Sequence, residues 1–145
     1  MGLAAARSLQ LRNSGKMKWG RCQILTGQTV FQGELLSMQY ETQVHCMPMT
    51  AVSGTSLVCI GIAKENYATS LATALQTAIY FYNVEARIPC SSVTAGHIGA
   101  LAYADGSSLS KVIGYATLGS PVGRLMELDG TSHAWVWVGM TRLGA

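Results

Sequence analysis

The stretch Pro121-Val122-Gly123-Arg124-Leu125-Met126-Glu127-Leu128-Asp129-Gly130, followed by Ala134-Trp135-Val136-Trp137-Val138, decides the fold class. Asp-Gly between two runs of β-branched, aromatic and aliphatic residues is a strong hairpin signal, because glycine supplies the positive φ that tight turns need. Val122 to Leu128 and Ala134 to Val138 are therefore predicted as paired strands with Asp129-Gly130 at the turn. Side chains alternate along a strand, so Trp135 and Trp137 share one face and Val136 and Val138 the other. Both faces are apolar, and the last strand is expected to be buried on both sides.

The same rhythm of short apolar runs and turn residues extends back to Trp19. Strands are predicted at Arg21 to Leu25, Thr29 to Phe31, Leu35 to Cys46 and Leu57 to Ala63. The run Leu35 to Cys46 places Leu36, Met38, Tyr40, Thr42 and Val44 on one face, with Pro48 as its stop. Asn66 to Gln76 fits either a helical turn or a long loop. Ala78 to Ile88 is predicted as one long strand that ends at Pro89 and carries the aromatics Tyr80-Phe81-Tyr82. Val93 to Ile98 is a turn or short helix. Ala100 to Tyr103 and Lys111 to Thr117 are strands joined at Asp105-Gly106. The fold class is all-β: a small β-barrel, β-tulip or sandwich, as one domain over residues 19–145, preceded by an extended arm over residues 1–18.

Composition narrows the function. The chain has 145 residues, 12% charged and 49% hydrophobic, with a net charge of +3. Charged residues are about half as frequent as in an average soluble domain. Much of the surface is therefore expected to meet other subunits. Arg7, Arg12, Lys16, Lys18 and Arg21 give +5 before the first acid, Glu34, while the rest sums to −2. A basic arm suits an acidic protein surface, nucleic acid or a membrane. Only Trp19 interleaves with these charges, so the stacking platform of a single-strand binder is not built and nucleic acid is disfavoured. No run of about 18 apolar residues is present, and no membrane-spanning helix is predicted. The start Met1-Gly2-Leu3-Ala4-Ala5-Ala6-Arg7-Ser8 is acid-free in the manner of a transit peptide, but Ala6 replaces the Ser or Thr of a myristoylation signal. It is read as an arm.

Chemistry-bearing constellations are thin. Cys22, Cys46, Cys59 and Cys90 have no CxxC spacing, and Cys59 inside Leu57-Val58-Cys59-Ile60 reads as a buried free thiol. His45 and Cys46 are adjacent on a strand and point apart, so one metal cannot easily take both. The carboxylates are isolated, Asp105 and Asp129 serve turns, and no GxSxG elbow occurs. The chain is read as a non-enzyme without cofactor or metal. Its candidate partner-binding residues are Arg7, Arg12, Lys16, Lys18, Arg21, Tyr80, Tyr82, Trp135 and Trp137, charged or amphipathic groups of the kind enriched at interfaces.

Several segments together resemble a family. Ile60-Gly61-Ile62-Ala63-Lys64-Glu65, Val84 to Ile88, Thr94-Ala95-Gly96-His97-Ile98-Gly99, the strand Gly99-Ala100-Leu101-Ala102-Tyr103 with its hairpin Ala104-Asp105-Gly106, and above all the terminal Pro121–Gly130 and Trp135–Val138 runs follow one another in an order similar to that of the capsid decoration (cement) proteins of tailed bacteriophages. The resemblance covers about residues 57–140. The basic arm and the Cys/Met-rich region 38–50 lie outside it. It implies a β-barrel or β-tulip subunit on the outer surface of an icosahedral head, made in the host cytoplasm. Such a subunit bridges major capsid protein subunits, and neighbouring copies of itself, against internal DNA pressure. The alternatives are another virion component, such as a head fibre base, tail or adaptor protein, or a small ligand- or nucleic-acid-binding barrel.

Overall fold

The computed structural model describes residues 8–25, 27–39, 45–49, 57–68, 76–90, 93–104, 112–113 and 121–139. The chain is all-β. Its strands are β1 (Leu11–Arg12), β2 (Lys18–Gln23), β3 (Thr29–Val30), β4 (Leu35–Gln39), β5 (Met47–Pro48), β6 (Leu57–Ala63), β7 (Tyr67–Ala68), β8 (Thr77–Tyr82), β9 (Val84–Pro89), β10 (Leu101–Ala104), β11 (Val112–Ile113), β12 (Pro121–Asp129) and β13 (His133–Val138). One antiparallel sheet has the order β1-β9-β13-β12-β10-β11, a second has β2-β8-β6-β4-β5, and β3 and β7 form a small third sheet. Both large orders are open at their ends among the described residues, so of the expected architectures the sandwich is the one that fits.

Two apolar layers hold the sheets. Leu35, Cys59, Ile62 and Met49 of the second sheet and its flanks meet Ala86, Ile88, Val122, Leu125, Ala134, Val136 and Val138 of the first. Ala86 and Ile88 on β9, and Ala134, Val136 and Val138 on β13, alternate as period-two burial requires, whereas Cys59 and Ile62, and Val122 and Leu125, lie three apart across irregularities in register. Each fully buried Val, Leu or Ile contributes about 1.5–3 kcal/mol of hydrophobic stabilisation. The second layer lies on the far side of the second sheet. There Leu36, Ile60, Ala63 and Ala78 meet Ile24, Val30, Cys46 and Tyr67, and the β3–β7 pair acts as a roof. The Tyr67 hydroxyl accepts the Ile79 N–H at 3.0 Å, tying the roof to β8.

Three sequence expectations are corrected. First, the single strand Ala78 to Ile88 is two strands in different sheets, broken at Asn83 with φ 57°. Asn tolerates the left-handed region that turns the chain from one sheet to the other, and periodicity carries no mark of such a corner. Second, Leu35 to Cys46 is not one strand ended by Pro48: β4 covers Leu35–Gln39, and Met47–Pro48 runs back antiparallel on it. Pro48 lies in β5, the edge of the second sheet, opposite Leu36, where a residue without an N–H is tolerated. Third, β13 is not buried on both sides. It lies between β9 and β12, yet only Ala134, Val136 and Val138 face the core, while Trp137 is 36% exposed on the outer face.

Other expectations hold. Leu57–Ala63 is a strand with the expected bounds, Ala95–His97 is a short 3-10 helix, and Asp129 and Gly130, the latter at φ 71°, lead into the turn between β12 and β13. Tyr40, Thr42 and Val44, residues 69–75, the Asp105-Gly106 turn and residues 114–117 lie outside the described residues. Within the N-terminal arm, Leu11–Arg12 pairs with β9 and Ser14–Lys16 forms a 3-10 turn, so this part lies along the domain's own sheet. Leu11 packs against the inter-sheet core.

Candidate interaction surface

The outer face of the first sheet carries the densest group of polar and aromatic side chains. Register explains how it is assembled. Arg12 stands opposite Glu85, Glu85 opposite Trp137, and Trp137 opposite Arg124; one row along, Arg87 stands opposite Trp135 and Trp135 opposite Glu127. Glu127 joins this face only because β12 is irregular between Leu125 and Glu127. Strict alternation from the buried Leu125 would turn Glu127 inward, and the extra residue at Met126 turns it out. Met126 itself is 44% exposed.

Arg12 organises the patch. Its Nη2 lies 3.0 Å from Glu85 Oε1 and 2.9 Å from Glu127 Oε2, and its guanidinium sits 4.2 Å above the Trp135 ring. Burial opposes its charge, but the bonds to Glu127 and Glu85 outweigh this and its pKa is raised. Glu85 is buried and also accepts a hydrogen bond from the Asn13 amide. A buried carboxylate of this kind is tolerated because its partners are fixed. Beside it Arg87 bonds Asp129, which holds the Asp129 carboxyl below its ordinary range. Each of these acids is occupied in an ion pair.

At the sandwich corner, Trp137 flanks a shallow cleft of about 440 Å³ lined also by Asn13, Gly15, Lys16 and Asn83. The indole lies over Gly139, where a Cβ would come within 2.2 Å of the ring. Asn13 and Asn83 both adopt left-handed backbone, and they mark the two places where the chain passes between the sheets. The cleft therefore exists because two crossovers meet beside an exposed tryptophan.

The sequence-derived residues fall in three places. Arg12, Lys16, Trp135 and Trp137 come together on the first sheet's outer face. Tyr80 and Tyr82 lie on the opposite side of the sandwich, ring centroids 6.0 Å apart, with Lys18 across from Tyr82. Tyr80 packs against the second apolar layer and covers Gly20, where a Cβ would come within 2.6 Å of its ring. Its hydroxyl pKa is raised, first by burial. Arg21 stacks on Trp19 at 5.2 Å on the edge strand β2. Arg7 lies outside the described residues. Asn13, Asn83 and Glu127 were not singled out for the surface from sequence. The left-handed asparagines had a faint signal in residue type, whereas Glu127 depended on a bulge that leaves no mark in composition.

Other titratable groups have local partners. Thr94 N–H donates to His97 Nδ1 at 3.1 Å, and His133 Nδ1 lies 2.9 Å from Ser132 Oγ. The four cysteines are free thiols, and burial pushes the Cys59 thiol up to about 12, far from reactivity. Among the described residues no group of three or more His, Cys, Asp and Glu is placed to hold a metal ion, and no helix is long and apolar enough to cross a membrane.

Fold and surface together define an antiparallel β-sandwich whose first sheet carries an aromatic outer face that no other described residues cover. No protein-family model matches the chain, and no curated protein matches it in sequence.

Proposed function

We propose that this protein is a non-enzymatic structural subunit that binds other protein subunits, and that it decorates the outer surface of an icosahedral phage head. The observation that carries the reading is the outer face of β12 and β13. It exposes Trp137 and Met126 next to Arg12, Lys16 and Trp135, with no covering layer among the described residues. Aromatic and Met anchors beside an Arg, ringed by paired charges, are the composition of a protein-binding surface rather than of a solvated one. Low overall charge supports the same reading, and the segment order over about residues 57–140 supports the particular assembly. The major capsid protein is the partner so implied, with neighbouring copies as secondary contacts.

The test is occupancy on undecorated heads, measured by electron microscopy. Trp137→Ala and Lys16→Glu are each expected to reduce occupancy strongly while the melting temperature of the free protein stays the same. Full occupancy by both variants would remove this face from the reading. Copy number separates the neighbouring alternative: a decoration protein scales with the number of capsid subunits, whereas a tail or adaptor protein is present once per symmetric ring.

A further inference from the structure

The edge strand β2 is the second place where the molecule is incomplete. It has six residues, and it has β8 on one side only. Which of its main-chain groups are spent follows from register. Ile24 N–H donates to the Gln76 carbonyl at 2.8 Å, continuing the pairing of Lys18, Gly20 and Cys22 with Tyr82, Tyr80 and Ala78. In an antiparallel ladder the hydrogen-bonded positions alternate. Lys18, Gly20 and Cys22 therefore point their N–H and C=O at β8, and Trp19, Arg21 and Gln23 point theirs away from it. At the far end the outward edge is closed: Cys46 N–H donates to the Gln23 carbonyl, and Leu25 N–H to the Cys46 carbonyl, both at 2.8 Å. Before that closure, the N–H and C=O of Trp19 and Arg21 have no partner among the described residues.

Unpaired edges are usually blunted by proline, a bulge or a covering loop. Among the described residues none of these marks Lys18–Gln23, whose pairing with β8 runs without a register shift and whose edge is guarded only by the charges of Lys18 and Arg21. Trp19 is instead 56% exposed. Trp19, Lys64, Ile79 and Phe81 surround a cleft of about 200 Å³, room for an apolar side chain. The charges along the edge have one sign: Lys18 and Arg21 are exposed, and residues 8–33 contain no acid. Two such edges brought together would oppose like charges, which disfavours a second copy as the occupant.

We propose that β2 receives an added strand, an extended segment of a partner chain in which acidic residues alternate with apolar ones. Its main chain bonds Trp19 and Arg21, its carboxylates lie on the Lys18 face of β2, and its apolar side chains lie on the opposite, Trp19 face, where one enters the cleft. This site is distinct from the Trp137 face and does not depend on the capsid reading, because any partner with that chemistry satisfies it.

A labelled peptide of alternating Glu and Val or Leu, added to the full chain, tests the proposal, with Lys in place of Glu as the control. Binding of the acidic peptide is expected to slow amide exchange at Trp19 and Arg21 while leaving the already bonded Gly20 and Cys22 unchanged. Lys18→Glu weakens binding by about tenfold or more, as reversal of a steering charge does. Arg21→Pro removes an outward donor and no bond to β8; if that variant does not fold, the peptide N-methylated at alternate amides probes the same bonds from the other side. Equal binding of the Lys peptide, binding without protection at Trp19 and Arg21, or no binding at all would each overturn the proposal. So would sedimentation showing that two copies associate through β2 and exclude the peptide.

Discussion

The two outer faces of the sandwich are built by the same device and finished differently. On each, an aromatic ring lies over a glycine: Tyr80 over Gly20 on the second sheet, Trp137 over Gly139 on the first. Gly20 lies within β2, where filling the space above a strand glycine is a recurrent means of stabilising sheets, whereas Gly139 follows the end of β13. On the second sheet the ring joins an apolar layer roofed by β3 and β7. On the first sheet Trp135 and Trp137 stay outside, Trp135 beneath the Arg12 guanidinium that Glu85 and Glu127 hold. Equal aromatic content therefore does opposite work. One face is internal structure, and the other is left exposed among the described residues.

The largest expected effects test whether the layers fold as one body. Gly123 pairs with Val138, and a Cβ there would stand 1.8 Å from the Trp137 carbonyl oxygen. Gly123→Ala must push β12 from β13 and is expected to cost about 3 kcal/mol or more. Leu125→Ala, at a fully buried position of the inter-sheet core, is expected to cost about 3–5 kcal/mol in denaturant unfolding. Both variants should unfold in a single transition; two transitions would mean that the second sheet and its roof are stable alone.

The middle of the range contrasts the two rings. Tyr80→Ala empties a half-buried site above two strands and is expected to cost about 2–3 kcal/mol. Trp137→Ala is expected to cost under about 1 kcal/mol in the free protein, the range of a surface change. Equal losses would erase the distinction between roofed and open face. Arg12→Ala leaves Glu85 buried with only Asn13 beside it, for an expected loss of about 1–3 kcal/mol, moderated because Arg12 is itself partly exposed.

The smallest effect is a pH dependence. Arg87 holds the Asp129 carboxyl below its ordinary value of 3.8, so the folded state binds that proton less readily than the unfolded chain. The contribution is complete at neutral pH and is lost as pH falls through the ordinary carboxylate range to the depressed folded value. Acid titration of stability should therefore be shallower in Asp129→Asn. An unchanged titration would show that the pair is too solvated to matter.

The terminal hairpin was legible because Asp129-Gly130 and the flanking alternation state turn and register in adjacent residues. The surface was only partly legible. Arg12, Lys16, Trp135 and Trp137 could be named from residue type, but nothing in the spacing joins Arg12 to Trp135, 123 positions later in the chain. Tyr80 and Tyr82 carried the same signal as the tryptophans and landed on the opposite side, because Asn83 moves the chain between sheets.

By itself the sequence determined the all-β class, most strand positions, and which residues within one strand share a face. These are local matters, set by side-chain alternation and by turn residues that act over a few positions. Only the tertiary structure decided which face of β13 is covered, that Glu127 turns outward, and that Trp19 and Arg21 leave their main chain unpaired among the described residues. Each of these depends on strand neighbours, a bulge or a covering layer supplied from distant parts of the chain, and burial is a property of what lies opposite rather than of the residue itself.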